Sequence, residues 1–192
     1  MDALNQIALL LINTGLSVLM LLVWLRFLLQ VAAADFYNPM SQFVVRATTP
    51  LLNPLRRIVP GFFGLDIAAL VLIVLIKLVQ LSAIAHLTGQ AVTPALLGVT
   101  AVFSLLLSAA DFFFWLILGT VILSWVAMAS GGVNPGLMPL LQIAEIVLAP
   151  CRRLLPNLGG FDLSPIIAFL LLQIFEILLK SLYPQVLSAL AG

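Results

Sequence analysis

Four apolar stretches, approximately residues 4–34, 65–86, 95–129 and 161–182, leave this sequence few ways to fold. Each supplies at least the ~20 residues that a helix needs to cross a hydrocarbon core of ~30 Å. A backbone inside lipid must satisfy its own N–H and C=O groups, which only helices and closed barrels do. These runs are too long and unbroken for barrel strands. Composition agrees: 64% of the chain is hydrophobic and 8% charged, with a mean hydropathy of +1.27. A soluble domain carries roughly 25% charged residues, so this chain takes lipid as its solvent. It is expected to be an all-α membrane protein with four transmembrane helices.

Ala32-Ala33-Ala34-Asp35 after the first run resembles a signal-peptidase site. No Lys or Arg precedes Arg26, however, and the run is about twice the length of a normal signal core. The first stretch is therefore expected to remain as a span.

The loops repeat. Asn38-Pro39 recurs as Asn134-Pro135, a register of 96 residues, half the chain length. In that register Pro54-Leu55-Arg56-Arg57 falls on Pro150-Cys151-Arg152-Arg153, Pro60 on Pro156, Gly64 on Gly160 and Asp66 on Asp162. Two tandem hairpin repeats follow, residues 1–96 and 97–192, each a helix, a long loop (35–64 and 130–160) and a second helix. Each repeat crosses the membrane twice, so the copies are parallel, related by an axis along the membrane normal. The long loops carry Arg46, Arg56, Arg57, Arg152 and Arg153, with Arg26 at the approach to the first. The central connection and both termini have no Lys or Arg apart from Lys180 within the last span. The positive-inside rule then puts the loops in the cytoplasm and both termini outside.

Within the loops, Phe43, Val44, Ala47 and Leu51 recur at helical spacing, as do Leu137, Leu140, Leu141, Ala144 and Leu148. Such stretches suit cytoplasmic amphipathic helices lying in the interface. Pro50, Pro54 and Pro60 are expected to interrupt the first, and Pro150 and Pro156 the second. Gly64 and Gly159-Gly160 permit the turn into the next span.

With these residues in place the chain resembles the YggT (YlmG) family, most closely through Pro150-Cys151-Arg152-Arg153-Leu154-Leu155-Pro156 and Gly159-Gly160-Phe161-Asp162-Leu163-Ser164-Pro165. The first half repeats the pattern but has Ala68-Ala69 where the second has Ser164-Pro165. The resemblance covers the whole chain and implies a bacterial inner-membrane protein without an enzymatic activity or cofactor. It also implies one of several roles. Bacterial relatives are linked to osmotic or salt stress, Gram-positive relatives lie beside cell-division genes, and plastid relatives are linked to nucleoid distribution and haem attachment. A homeostatic role and a scaffold are both consistent with that spread.

Polar residues inside the spans are the first candidate site. Lys77 and Gln80 lie on the second span, with repeat mates Gln173 and Glu176 on the fourth. At 1.5 Å per residue Lys77 is ~17 Å beyond Asp66, near the bilayer centre. Asn13 and Thr14 on the first span and Asp111 on the third reach similar depth from the other side. An ionisable group there costs ~2.5–3.5 kcal/mol on insertion scales and so needs a partner or water. Across a pseudo-two-fold axis, Lys77 and Glu176 could pair, with Asp111 nearby. An ion or proton pathway through the bundle or a homo-oligomer is one reading; a polar lock fixing helix register is the other. Lys180, four residues after Glu176, offers that carboxylate a local partner instead.

Arg56, Arg57, Arg152 and Arg153 form the second candidate site. They could hold anionic lipid phosphates or dock an acidic cytosolic or membrane protein, or serve only topology, paired with Asp66 and Asp162. Asp66 and Asp162 are expected to cap their helices, the latter with Ser164-Pro165 following. Two arginines after Cys151 would lower its pKa, but its repeat mate Leu55 favours an apolar role. Cys151 and His86 are the only residues of their kinds, so no disulfide or Cys/His metal site is expected. No nucleophile–base or phosphate-loop pattern occurs, and a net charge of +1 offers nucleic acid no basic face.

Overall fold

The computed structural model describes residues 3–62, 64–132, 134–154 and 162–191. The motif residues Pro156, Gly159, Gly160 and Phe161 lie outside them. The described chain is helical: α1 (Ala3–Val31), α2 (Pro39–Ile58), α3 (Ile67–Thr88), α4 (Pro94–Ser130), α5 (Met138–Arg153) and α6 (Ser164–Ala191). A 3₁₀ turn at Pro135–Leu137 precedes α5. α1, α3, α4 and α6 are long and apolar enough to cross a membrane, while α2 and α5 are the loop helices of the two repeats. The fold is that of an all-α membrane protein built on four spans and a tandem repeat.

Both Asn-Pro motifs work the same way. Asn38 Oδ1 accepts from the Met40 N–H (3.0 Å) and Asn134 Oδ1 from the Gly136 N–H (2.9 Å). Each asparagine thus satisfies a free donor at a helix start, and the proline that follows sits where its missing N–H costs nothing. At the other end of the first loop, Gly64 (φ 77°) provides the left-handed turn between Phe62 and Leu65.

Two expectations need correction. The prolines do not interrupt the loop helices: α2 runs through Pro50 and Pro54, and α5 through Pro150. All three rings are on exposed faces, so in α2 the orphaned carbonyl one turn back also points outward, where it can be solvated. The inward face of α2 is also rotated away from most of the stripe read from the sequence. Val44, Thr48 and Leu52 are buried, whereas Phe43 (64%) and Leu51 (39%) are exposed. Of the stripe read from the sequence, Val44 turns inward, while Phe43, Ala47 and Leu51 form an outer face free to face lipid; the inner face includes Thr48. Thr48 fits because its hydroxyl donates to the Val44 carbonyl at 2.7 Å, removing the cost of burying it.

The described chain forms two compact units. The first comprises Met1–Phe27, Val44–Leu105 and Tyr183–Gly192. Its core joins Met20 and Val23 of α1, Leu52 of α2, Ala69, Leu72, Ile73 and Ile76 of α3, and Leu105 of α4. Thr100 and Tyr183 share a hydrogen bond of 3.1 Å, and Phe103 packs on Tyr183 with ring centroids 5.3 Å apart. The second unit comprises Leu28–Phe43 and Leu106–Leu182. Ile117 of α4, Ala144, Leu148 and Cys151 of α5, and Ala168 of α6 form its core, with Leu116, Phe169 and Leu172 packed beside them. In this unit the two Asn-Pro turns meet: Asn38 Nδ2 donates to the Pro135 carbonyl at 2.8 Å.

The repeat extends into the packing. Shifted by the loop register, Met20, Leu52, Leu72, Ile73 and Ile76 of the first core become Leu116, Leu148, Ala168, Phe169 and Leu172 of the second. Each copy therefore seats its loop helix between its two spans with the same positions. Leu52→Ala is expected to destabilise the protein by about 2–5 kcal/mol, through a cavity and lost dispersion contacts. Leu51→Ala should change stability by less than about 0.5 kcal/mol. Denaturation of both variants in detergent checks the rotation of the α2 face.

Candidate functional site

The twin arginines of each loop divide their roles. Arg56, in the last turn of α2, forms an ion pair with Asp66, ten residues on and immediately before α3. Asp66 is 6% exposed, and its Oδ1 also accepts from the Ala69 N–H at 3.3 Å, capping α3 as expected. In the second copy Arg152 contacts Asp162 at 2.8 Å, again ten residues on. Asp162 lies two residues before α6 and accepts from the Ser164 N–H at 2.9 Å, with Pro165 in the first turn. Ser164 itself is buried. In both copies a cation at the end of one helix meets an anion at the start of the next, and each charge also complements its helix dipole. Arg57 and Arg153 are exposed and make no ion pair among the described residues.

The surroundings of the two pairs have opposite signs. Arg152 also grips Glu145 at 2.9 Å, making one cation between two carboxylates. Glu145 escaped the sequence reading, although its spacing of seven from Arg152 on a helix was a legible signal. Its repeat mate is Thr49. In the first copy Arg26 of α1 stands within Coulombic reach of Arg56 and Asp66, making two cations around one carboxylate, and its mate is Ile122. The hydrogen bonds that Arg152 donates to Glu145 and Asp162 raise its pKa. Burial pushes the Asp162 carboxyl up, but hydrogen bonds from Ser164 and Arg152 outweigh it, and it titrates below the ordinary value. Cys151 departs from one sequence reading. It is 2% exposed in the core of the second unit, and burial raises its thiol pKa rather than the arginines lowering it. The thiol is an apolar core group like its mate Leu55.

Inside the first unit the intramembrane groups form a chain of hydrogen bonds. Lys77 Nζ donates to Gln80 Oε1 at 2.9 Å. Gln80 Nε2 then donates to Asn13 Oδ1 at 2.7 Å and Ser17 Oγ at 3.1 Å, both on α1. Lys77 (9% exposed) and Gln80 (3%) are buried, so this network ties α1 to α3. Ser17 was not singled out from the sequence. Thr14 is exposed.

The second unit has no such chain, because Ala109 and Phe113 occupy the positions of Asn13 and Ser17. Glu176 takes Lys180 as its partner at 2.7 Å, the local i,i+4 pair. Gln173 and Asp111 are exposed, and Asp111 lies within Coulombic reach of Lys180. Lys77 and Glu176, considered together from the sequence, belong to different units, and each has its partner within its own. Among the described residues no group of three His, Cys, Asp or Glu side chains is arranged to hold a metal.

Asp66→Asn should cost on the order of 1.5–3 kcal/mol, because Asp66 is buried as Arg56's partner and as a cap. Asp162→Asn should cost less than about 1 kcal/mol, because that pair is exposed and Arg152 keeps Glu145. The folded-state pKa of Asp162 is depressed, so its stabilisation is complete above its unfolded pKa of about 3.9 and fades as pH falls below it. Denaturation at pH 7 and pH 3.5 reads both effects. Gln80→Leu should destabilise more than Lys77→Met, since it strands Lys77, Asn13 and Ser17 together. The double variant should recover part of the loss. A Lys77→Met variant less stable than Gln80→Leu would show that the amide does not hold this network.

Comparison with known proteins agrees with this architecture. The family model CCB3/YggT matches twice, over residues 5–87 and 99–183, once on each repeat. An uncharacterised protein of Pseudomonas aeruginosa is 52% identical, over 93% of this chain and 90% of its own length. A protein encoded in the proC 3′ region of Vibrio alginolyticus is 39% identical, over 88% of this chain and 91% of its own. The protein YggT of Escherichia coli is 36% identical, over 86% of this chain and 85% of its own. No solved structure matches. With the family model matched once on each repeat, the chain belongs to the CCB3/YggT family.

Proposed function

We propose that this protein is a non-enzymatic, multi-pass component of the bacterial inner membrane that works as a scaffold at the cytoplasmic face. One observation carries this reading: each loop commits its first arginine to the fold and leaves its second, Arg57 or Arg153, exposed without an ion pair among the described residues. Each of these guanidinium groups stands next in sequence to the arginine of a helix-end clamp. Such groups gain ~1 kcal/mol each near an anionic leaflet and bind carboxylates or phosphates bidentately. The same arginines support the orientation with loops inside and termini outside.

Changing only the second arginines separates docking from folding. The Arg57→Gln/Arg153→Gln protein should keep its topology and thermal stability. In native membranes it should lose, at least several-fold, the cross-linked partner adducts and anionic lipids that accompany the wild type. Adducts and lipids retained in full would end the scaffold reading.

A second reading, ion homeostasis in osmotic or salt adaptation, is favoured by a different observation. Asp111, Glu176 and Lys180 lie within spans, and Asp111 and Lys180 are exposed there. Such groups mark ion routes when they face water. Flux into vesicles should then exceed that of empty vesicles and fall in Glu176→Gln. Flux equal to that of empty vesicles excludes the route.

A further inference from the structure

The charged groups in the spans of the second unit share one face. On α6, Gln173, Glu176 and Lys180 stand at i, i+3 and i+7, a single helical stripe. Gln173 is exposed, and the side chains of Lys180 and Glu176 are 62% and 20% exposed. Beside the stripe, Asp111 of α4 is exposed and within Coulombic reach of Lys180. Hydrocarbon offers none of these groups a hydrogen bond, so in a membrane they meet protein or water. Glu176 and Lys180 satisfy each other only in part. The ammonium has three donors and one bonded acceptor, and among the described residues neither Asp111 nor Gln173 makes a hydrogen bond.

The patch carries both signs: two carboxylates, one ammonium and an amide that donates and accepts. A surface of that kind complements itself under a two-fold rotation. Copies inserted in the same orientation are related by an axis along the membrane normal, and rotation about that axis preserves depth. Asp111 and Lys180 lie near one another in a single copy. The rotation therefore brings Asp111 of one copy level with Lys180 of the other, and Gln173 level with Gln173. A partner presenting only one sign would leave either the carboxylate or the ammonium unmatched.

We propose that a second copy of this chain covers the face carrying Asp111, Gln173, Glu176 and Lys180, forming a two-fold homodimer within the bilayer. Asp111 and Lys180 pair reciprocally between copies, and the two Gln173 amides bond across the axis, as polar side chains do between membrane helices. This interface goes beyond both functional readings and does not depend on either.

The test is disulfide trapping of the full chain in native membranes, in a Cys151→Ser background so that the introduced thiol is the only one. Gln173→Cys should give a dimer band several-fold stronger than Leu178→Cys, which lies on the opposite side of α6 and is 55% exposed. Adding Asp111→Asn should weaken that band several-fold. The wild-type chain, reconstituted in nanodiscs, should have the mass of two copies. A one-copy mass, equal trapping at both cysteines, or a Gln173→Cys adduct with a different protein overturns the proposal.

Discussion

The pairing of an arginine at the end of each loop helix with an aspartate at the head of the next span organises both copies. Arg56 meets Asp66, and Arg152 meets Asp162, each ten residues on in the sequence. Each member sits at a helix end whose partial charge it complements, so the pair neutralises a cation, an anion and the partial charges of two helix ends. With that corner held, the loop helix is kept against its own spans. Leu52 in one copy and Leu148 in the other can then complete cores built from equivalent positions.

Around this shared corner the copies have diverged in charge. The first adds Arg26 and buries Asp66; the second adds Glu145 and leaves its pair in contact with solvent. Deeper in the membrane the difference recurs. The first copy links buried Lys77 and Gln80 to Asn13 and Ser17 in one network, whereas the second replaces the α1 members with Ala109 and Phe113. Its own polar groups stay on an outer face. One copy thus has an ammonium and an amide buried, the amide bonded to α1, and the other has its Lys180, Asp111 and Gln173 exposed.

Much of the architecture was legible in the sequence. The spans follow from hydrophobic length, and the repeat follows from prolines, arginines and aspartates in one register, because each of these has a strong local geometric requirement. The capping role of Asp66 was equally readable. The buried face of α2 was not, since the stripe in the sequence groups Val44 with Phe43, Ala47 and Leu51, whereas packing groups it with Thr48 and Leu52. In a lipid setting the more apolar face can point outward. Helix periodicity shows that two faces exist, and only packing chooses between them.

By itself, the sequence determined the solvent, the helix count, the duplication and the charges at each loop end, all of which depend on local composition or spacing. Tertiary structure decided the partners. Arg152 shares itself between Glu145 and Asp162, and Gln80 reaches Asn13 and Ser17 sixty-odd residues away. A buried charge takes whichever acceptor the packed helices bring within about 3 Å, and that geometry exists only once the chain has folded.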